Sequence, residues 1–439
     1  MTRSGGRAPT TGVPPTRGQT DNDLTMLLRD ATLCSGEQFD LRLAGGEIAE
    51  LAPAATLSPG AGEEALDLAG YVLLPAPAEP HTHLDKALTA DRVENPARDL
   101  LGAIAAWHAY REGLSVDDIS ERAEAATRLA LAHGVTAIRT HVDVGRGIEL
   151  RGIAALLRVK ERLRDLVDLQ IVALTYPLTG AEGIENRARL REALAMGADV
   201  AGGAPHVDPD PVGHVEACLE IASELGRPVD LHADENLRES SEDVLHLARR
   251  VADGFAFPAT ASHCVSLGIR DERTQAAVAE EVAAAGVSVV TLPVANLYIQ
   301  GRDLPVATPR GLTAIRALVA ADVTVAGGGD NIQDPFIPVG RADPLVTAQY
   351  LVVAGHLDPA DAYAFVSEHA RRILGLPAVA VEAGSSADLV AVAGSSLREA
   401  IATATQQRIV FRRGRVVSRT SVETAGGPVI RTALERREP

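Results

Sequence analysis

Two histidines stand two apart at His81 and His83, and three further groups able to hold a metal, His232, His263 and Asp330, recur far downstream. In an extended segment, residues two apart point to the same side, so the first pair can share one ion. Neutral imidazole with a carboxylate suits Zn²⁺ or Fe²⁺. A lone histidine pair would be weak support. The addition of His232, His263 and a carboxylate placed directly after Gly327–Gly328–Gly329 favours one divalent ion per chain over histidines that merely fill a polar pocket. Such an ion lowers the pKa of water toward neutrality and so provides a nucleophile. Glu235, three residues past His232, is the candidate acid–base group. Burial and a nearby cation would pull its pKa in opposite directions. The competing reading makes Glu235 a residue at the start of the next helix.

Residues so far apart in sequence need a scaffold that brings them together. Short apolar strands are expected at about 71–78, 136–142, 168–174, 199–206, 228–233, 257–262, 288–294 and 323–328. Helical patterns separate them, for example Ile119–His133, Pro211–Leu225 and Asp271–Ala285. Eight strands with intervening helices predict a (β/α)₈ barrel, whose loops at the C-terminal strand ends converge on one site. The polar residues gather at those ends: His141 and Asp143, His206, Asp234 and Asn296 join the six named above, whereas His108, His133, His214 and His369 fall elsewhere. No glycine-rich dinucleotide motif follows the first strand, and Gly327–Gly328–Gly329 lacks the Lys of a phosphate-binding loop.

Both ends of the chain read differently. Leu24–Leu33, Phe39–Leu51 and Leu66–Leu74 are strand-like, broken by Gly36 and by a Gly45–Gly46 pair placed for a tight hairpin. Ala387–Val392, Ile409–Phe411 and Arg415–Val417 repeat the style, with Gly414 in a turn. We therefore expect a small β-sandwich built from residues 23–77 and 376–435, a catalytic barrel over 78–375, and a disordered leader over 1–22, or a misplaced translation start.

Composition excludes several function classes. With 42 Lys and Arg against 59 Asp and Glu, a net charge of −17, the chain has no global attraction for a phosphate backbone. Aromatics at 3% are too few for a base-stacking platform. Cys34, Cys218 and Cys264 form no CxxC pair, so neither a disulfide framework nor a cysteine metal site is indicated. No apolar run resembles a signal-peptide core or a membrane span. The expectation is a cytoplasmic enzyme with no nucleic-acid or membrane partner.

Several of these segments resemble one family. Pro80-His81-Thr82-His83-Leu84-Asp85-Lys86 is similar to the first-strand signature of the amidohydrolase superfamily. The wider pattern resembles its cytosine deaminase branch, which includes the triazine-ring aminohydrolases. It is carried by Arg139-Thr140-His141-Val142-Asp143, His232-Ala233-Asp234-Glu235, Ala261-Ser262-His263, Gln300-Gly301-Arg302 and the run from Asp334 to Gly340. The resemblance spans roughly residues 25–420. It implies a mononuclear site with His81, His83, His232 and Asp330 as ligands, His263 beside them, Glu235 protonating a ring nitrogen and Asp330 taking the water's proton. It further implies Phe336 closing over a bound ring, a homo-oligomer, and a small heterocycle and water as substrates. The fourth strand end, Ala204-Pro205-His206, offers no lysine for a carbamylated binuclear centre.

Three departures bear on the substrate. The third strand of cytosine deaminases ends in a Phe-Pro-Gln stretch whose Gln reads the pyrimidine amide edge, whereas here it runs Leu174-Thr175-Tyr176-Pro177-Leu178, with no Gln. Lys86 replaces a small hydroxyl residue, as in the triazine-amine hydrolases, and Asn331 replaces a second carboxylate. Lys86, Tyr176, Asn331 and Phe336 are thus the candidate substrate contacts, with Lys86 alternatively pairing with Asp85 or another carboxylate. The expected reaction removes an exocyclic amine from an aminopyrimidine, aminotriazine or related cyclic amidine, with cytosine not preferred. Release of an alkylamine, or opening of a cyclic amide, remain alternatives that product analysis separates.

Overall fold

The computed structural model describes residues 25–423. The expected leader, and the residues beyond 423 that were assigned to the terminal sandwich, lie outside these. Two sheets organise the chain. The first begins with β1 (Thr25–Thr32), β2 (Gln38–Ala44), β3 (Glu47–Pro53), β4 (Glu64–Asp67) and β5 (Tyr71–Pro75). The second is all parallel: β6 (Ala78–Thr82), β7 (Ala137–Val144), β8 (Asp168–Thr175), β9 (Val200–Gly203), β10 (Val229–Ala233), β11 (Ala259–His263), β12 (Ser288–Thr291) and β13 (Val325–Gly327), paired in sequence order. Three late strands, β14 (Leu389–Ala393), β15 (Arg408–Arg412) and β16 (Arg415–Thr420), return to the first sheet, where β14 pairs with β5.

The parallel sheet is the (β/α)₈ barrel. Its seam lies between β13 and β6, where Thr82 bridges Asp330 and Thr82 Oγ1 donates to the Asp330 carbonyl at 2.6 Å. Glu79 crosses the same seam, accepting from Gly329 N at 3.0 Å and His81 N at 3.1 Å. That crossing explains the glycine run. A Cβ at Gly328 or Gly329 would sit 2.9 Å from a Glu79 carboxylate oxygen. The helices between the strands follow local rules. Over Pro211–Leu225, Asp210 caps Gly213 N at 2.9 Å, Pro211 opens the first turn, and Gly226 ends the helix at φ +64°. Along Val116–Ala132, Ile119, Ala123, Ala126 and Ala130 form the buried stripe.

The terminal strands enclose a separate apolar core. Leu28, Leu41, Ile48, Leu73, Leu389, Ile409 and Phe411 all belong to it. The hairpin at Gly45–Gly46 (φ +61° and +84°) meets the segment before β14, with Ala387 N donating to Gly46 O at 2.9 Å. Residues from both chain ends therefore face one interior. Ion pairs tie this sheet to the barrel: Arg408 grips Asp343 at 2.9 Å with both side chains fully buried, and Arg412 reaches Asp168 at 2.8 Å.

Several expected boundaries move. The apolar run at 71–78 is not the first barrel strand. Tyr71–Pro75 joins the terminal sheet, and β6 is the polar stretch Ala-Glu-Pro-His-Thr, buried throughout because the barrel interior there is itself polar. The single run Leu66–Leu74 is two strands, broken at Gly70 (φ +82°). The strands expected to reach 206 and 294 stop at Gly203 and Thr291, because Pro205 and Pro293 start helical turns. No helix among the described residues is long and apolar enough to cross a membrane.

Candidate active site

At the C-terminal mouth of the barrel, His81 and His83 leave β6, His232 lies on β10, His263 ends β11 and Asp330 follows β13. One ligand atom from each of His81, His83 and His232 lies within 4.8 Å of the others, and the same holds for His81, His263 and Asp330. Hydrogen bonding fixes which nitrogens are bare. Ser262 Oγ donates to Asp230 Oδ1 at 2.8 Å, so it accepts the His81 Nδ1 proton at 2.9 Å and leaves His81 Nε2 without one. His83 Nδ1 donates to the His141 carbonyl at 3.1 Å, which likewise frees its Nε2. That atom faces His232 Nε2 at 3.3 Å and Asp330 Oδ1 at 3.4 Å. His81 Nε2, His263 Nε2 and Asp330 Oδ1 have no hydrogen-bond partner among the described residues, although all are buried. Burial, with the neighbouring imidazoles adding to it, pushes His81 and His232 well below the usual histidine range. Bare nitrogens and a bare carboxylate oxygen converging in a dry pocket repay their desolvation only with a cation between them. The residues present therefore fit a single metal site.

Glu235 lies beside this cluster, 4% exposed. It stands well before the next helix, which begins at Asp243, so the helix-start reading is set aside. Burial, reinforced by the charge of Asp330, raises its carboxyl well above the ordinary range. Its oxygens face His263 Nδ1 at 3.5 Å and His206 Nε2 at 3.6 Å. Burial lowers those imidazoles to about 4 and about 3, so both are neutral near pH 7. His263 Nδ1 bonds Asn296 Oδ1 at 3.1 Å.

One cavity connects these groups. His83, His232, Glu235, His263 and Asp330 are among the residues that line it. Lys86, Tyr176, Asn331 and Phe336, all expected as substrate contacts, line its walls. Lys86 does pair with carboxylates, Asp143 at 2.7 Å and Asp85 at 3.5 Å, while still facing the cavity. Tyr176 carries its hydroxyl to His108 Nε2 at 3.3 Å, and Asn331 Nδ2 donates to Asp334 at 2.7 Å. Asp234, His263 and Asp330 all adopt left-handed backbone (φ +53°, +73° and +64°), a strain of roughly 1–3 kcal/mol each that clusters at functional sites.

The sequence reading missed a helix. Leu100–Arg111 precedes the first barrel helix and turns Leu100 and Ile104 into the cavity, with Trp107 and Arg111 bonded to Asp143. Its sequence is apolar nearly all round and carries no marker of a site. Ser262 and Asp230, which fix the His81 tautomer, were also unassigned. The alternation Arg139, His141, Asp143 was the available signal that β7 sends a polar face inward. His141 stacks on His81 with ring centroids 3.9 Å apart.

Comparison with known proteins agrees with this geometry. Residues 90–418 match a family model described as amidohydrolase family. A pterin deaminase of Rhizobium rhizogenes strain K84 is 34% identical over 87% of this chain and 88% of that protein. Among solved structures, 5-methylcytosine deaminase from Klebsiella pneumoniae liganded with 5-fluorocytosine superposes with a TM-score of 0.82 at 29% identity, covering 92% of this chain and 100% of that one. N-isopropylammelide isopropylaminohydrolase from Burkholderia multivorans gives 0.77 at 32%, covering 90% and 98%. With a family match over most of its length and relatives this similar from end to end, the chain belongs to the amidohydrolase family.

Proposed function

We propose that the protein hydrolyses the exocyclic C–N bond of a small six-membered nitrogen heterocycle, an aminopyrimidine, aminotriazine or related cyclic amidine, and releases ammonia. Relatives that deaminate pterin and 5-methylcytosine support this class. The observation that carries the reading is a buried Glu235, its carboxyl pushed well above the ordinary range, lining one cavity with a cluster of bare metal-ligand atoms. His81, His83, His232 and Asp330 would hold one divalent ion, and three imidazoles with a carboxylate favour zinc or iron(II). When bound, such an ion acidifies water toward neutral pH.

The protein's own groups then move the protons. Asp330 takes a proton from the attacking water, whose oxygen bonds to the amine-bearing carbon. His263, neutral and bare at Nε2, accepts a hydrogen bond from that water and orients it. Glu235 delivers its proton to the adjacent ring nitrogen. As the C–N bond breaks, Asp330 passes its proton to the departing amine, and Glu235 recovers one from the new hydroxyl, leaving a ring carbonyl. The three cysteines, all unpaired, suit a cytoplasmic setting.

A second reading keeps the chemistry and changes the leaving group. Leu100, Ile104 and Val207 make part of the cavity wall apolar, which favours an N-alkyl amine, as the name of the Burkholderia relative indicates for that enzyme. The test is Glu235→Gln, assayed for ammonia and for alkylamine over a panel of aminopyrimidines, aminotriazines, their N-alkyl forms and aminopterins. We expect metal content and fold to be kept while turnover falls by about 10²–10⁴-fold. A variant within threefold of the parent would remove Glu235 from the reaction, and ring-opened products would overturn the deaminase assignment.

A further inference from the structure

The chain after β12 touches both proposed proton-transfer groups, and it does so at their backbone carbonyls. Helix Pro293–Ile299 ends at Gln300, whose half-buried side chain reaches the Glu235 carbonyl at 3.3 Å. A carbonyl only accepts, so the Gln300 amide presents its Nε2 there. Residues 302–308 are exposed. The chain then returns at Gly311 (φ +63°), where a Cβ would lie 2.7 Å from Gln300 Cβ and 3.0 Å from the Asn296 carbonyl oxygen. Only a glycine lets the two limbs close on each other this tightly. Two residues further on, Thr313 is buried and donates its hydroxyl to the His263 carbonyl at 2.6 Å. This strap therefore starts on Glu235 and finishes on His263, and the side chains of those two residues face each other at 3.5 Å.

The backbone at both carbonyls needs holding. Asp234, directly before Glu235, and His263 itself adopt left-handed φ values of +53° and +73°. Strain of this kind persists only where surrounding contacts over-determine it. We propose that Gln300 and Thr313 are positioning residues for the proton transfers, the first fixing the backbone from which Glu235 projects and the second that of His263. The inference rests on the reaction proposed above and adds the element that sets the spacing of its two groups. Neither Gln300 nor Thr313 lines the cavity, so neither touches the ring, and both act through the residue they hold. A misplacement of about 1 Å in a reacting group is enough to cost on the order of 10²-fold in rate. The loss belongs in kcat, because the contacts that bind the ring are left as they were.

The test measures kcat, KM, metal content and Tm of Gln300→Met and Thr313→Val over the same panel of aminopyrimidines, aminotriazines and aminopterins. Each substitution keeps the bulk of the side chain and removes its donor. Each should lower kcat by on the order of 10- to 100-fold, with KM and metal content within about threefold of the parent. Thr313→Ser, which restores the hydroxyl, should bring kcat back to within about threefold. In a Glu235→Gln background, Gln300→Met should change the residual turnover by less than about threefold, because the group it places no longer transfers a proton. A purely structural contribution would lower the rate by the same factor in both backgrounds. Parent-level kcat in Gln300→Met or Thr313→Val, equal losses in Thr313→Ser and Thr313→Val, or equal losses from Gln300→Met with and without Glu235 overturns the inference. Should Glu235→Gln keep the parent rate, the proposed function fails and this inference with it. Should Glu235→Gln lose turnover while Gln300→Met and Thr313→Val keep theirs, the inference alone fails.

Discussion

Asp40 in the terminal sheet and Asp330 at the barrel mouth are both buried, 0% and 2% exposed, and the protein treats them in opposite ways. Asp40 accepts from Asp30 N at 3.1 Å, Thr56 N at 3.0 Å and Leu57 N at 3.1 Å, closing the loops around β1 and β3. Asp330 Oδ1 receives no donor among the described residues and faces histidine nitrogens at 3.4 and 3.8 Å. The terminal sheet satisfies its buried carboxylate in full, as a structural element must. The barrel mouth leaves its carboxylate and several imidazoles open among the described residues, an arrangement that fits a divalent ion.

Substitutions can break or sharpen that contrast. The largest effect belongs to Asp330→Ala, which should lose the ion and more than about 10³-fold of turnover together, because the proposed reaction gives this one side chain both the ligand's and the proton acceptor's part. Metal analysis alongside the rate checks this, and undiminished metal would remove Asp330 from the ligand set. Phe336→Ala comes next. Phe336 is 8% exposed and lines the cavity, so KM should rise about tenfold while stability falls by less than the ~3–5 kcal/mol of a core Phe truncation. A sharp drop in Tm with an unchanged KM would make it a core residue. The smallest effect on chemistry belongs to Asp40→Ala, which should cost ~1–3 kcal/mol in denaturant unfolding by removing the acceptor of three part-buried backbone N–H groups, with turnover per folded molecule unchanged. A rate that fell with Asp40 would blur the distinction between the two regions.

The site was more legible in the sequence than the strands that carry it. His81 and His83 announce themselves by spacing, and His232, His263 and Asp330 by falling at strand ends, which are local features. The first barrel strand was misplaced because β6 is polar and the apolar run before it belongs to the other sheet; periodicity reports burial in apolar surroundings and is silent on a strand buried against a polar site. The partners that set tautomer and charge were invisible for a different reason. Ser262 meets His81 across 181 residues and Lys86 meets Asp143 across 57, and no pattern within a helix or strand specifies such a meeting. Lys86 shows the limit well. Its sequence neighbour Asp85 was the obvious partner, yet the shorter contact is to Asp143 on the next strand.

The most direct test of the account is a metal titration of chelator-treated protein, following ammonia release from an aminated heterocycle as zinc or iron(II) is added. The account predicts no turnover without metal, then activity that rises in proportion and levels off at one equivalent per chain. Saturation at two equivalents, or ammonia release from the metal-free protein, would contradict it.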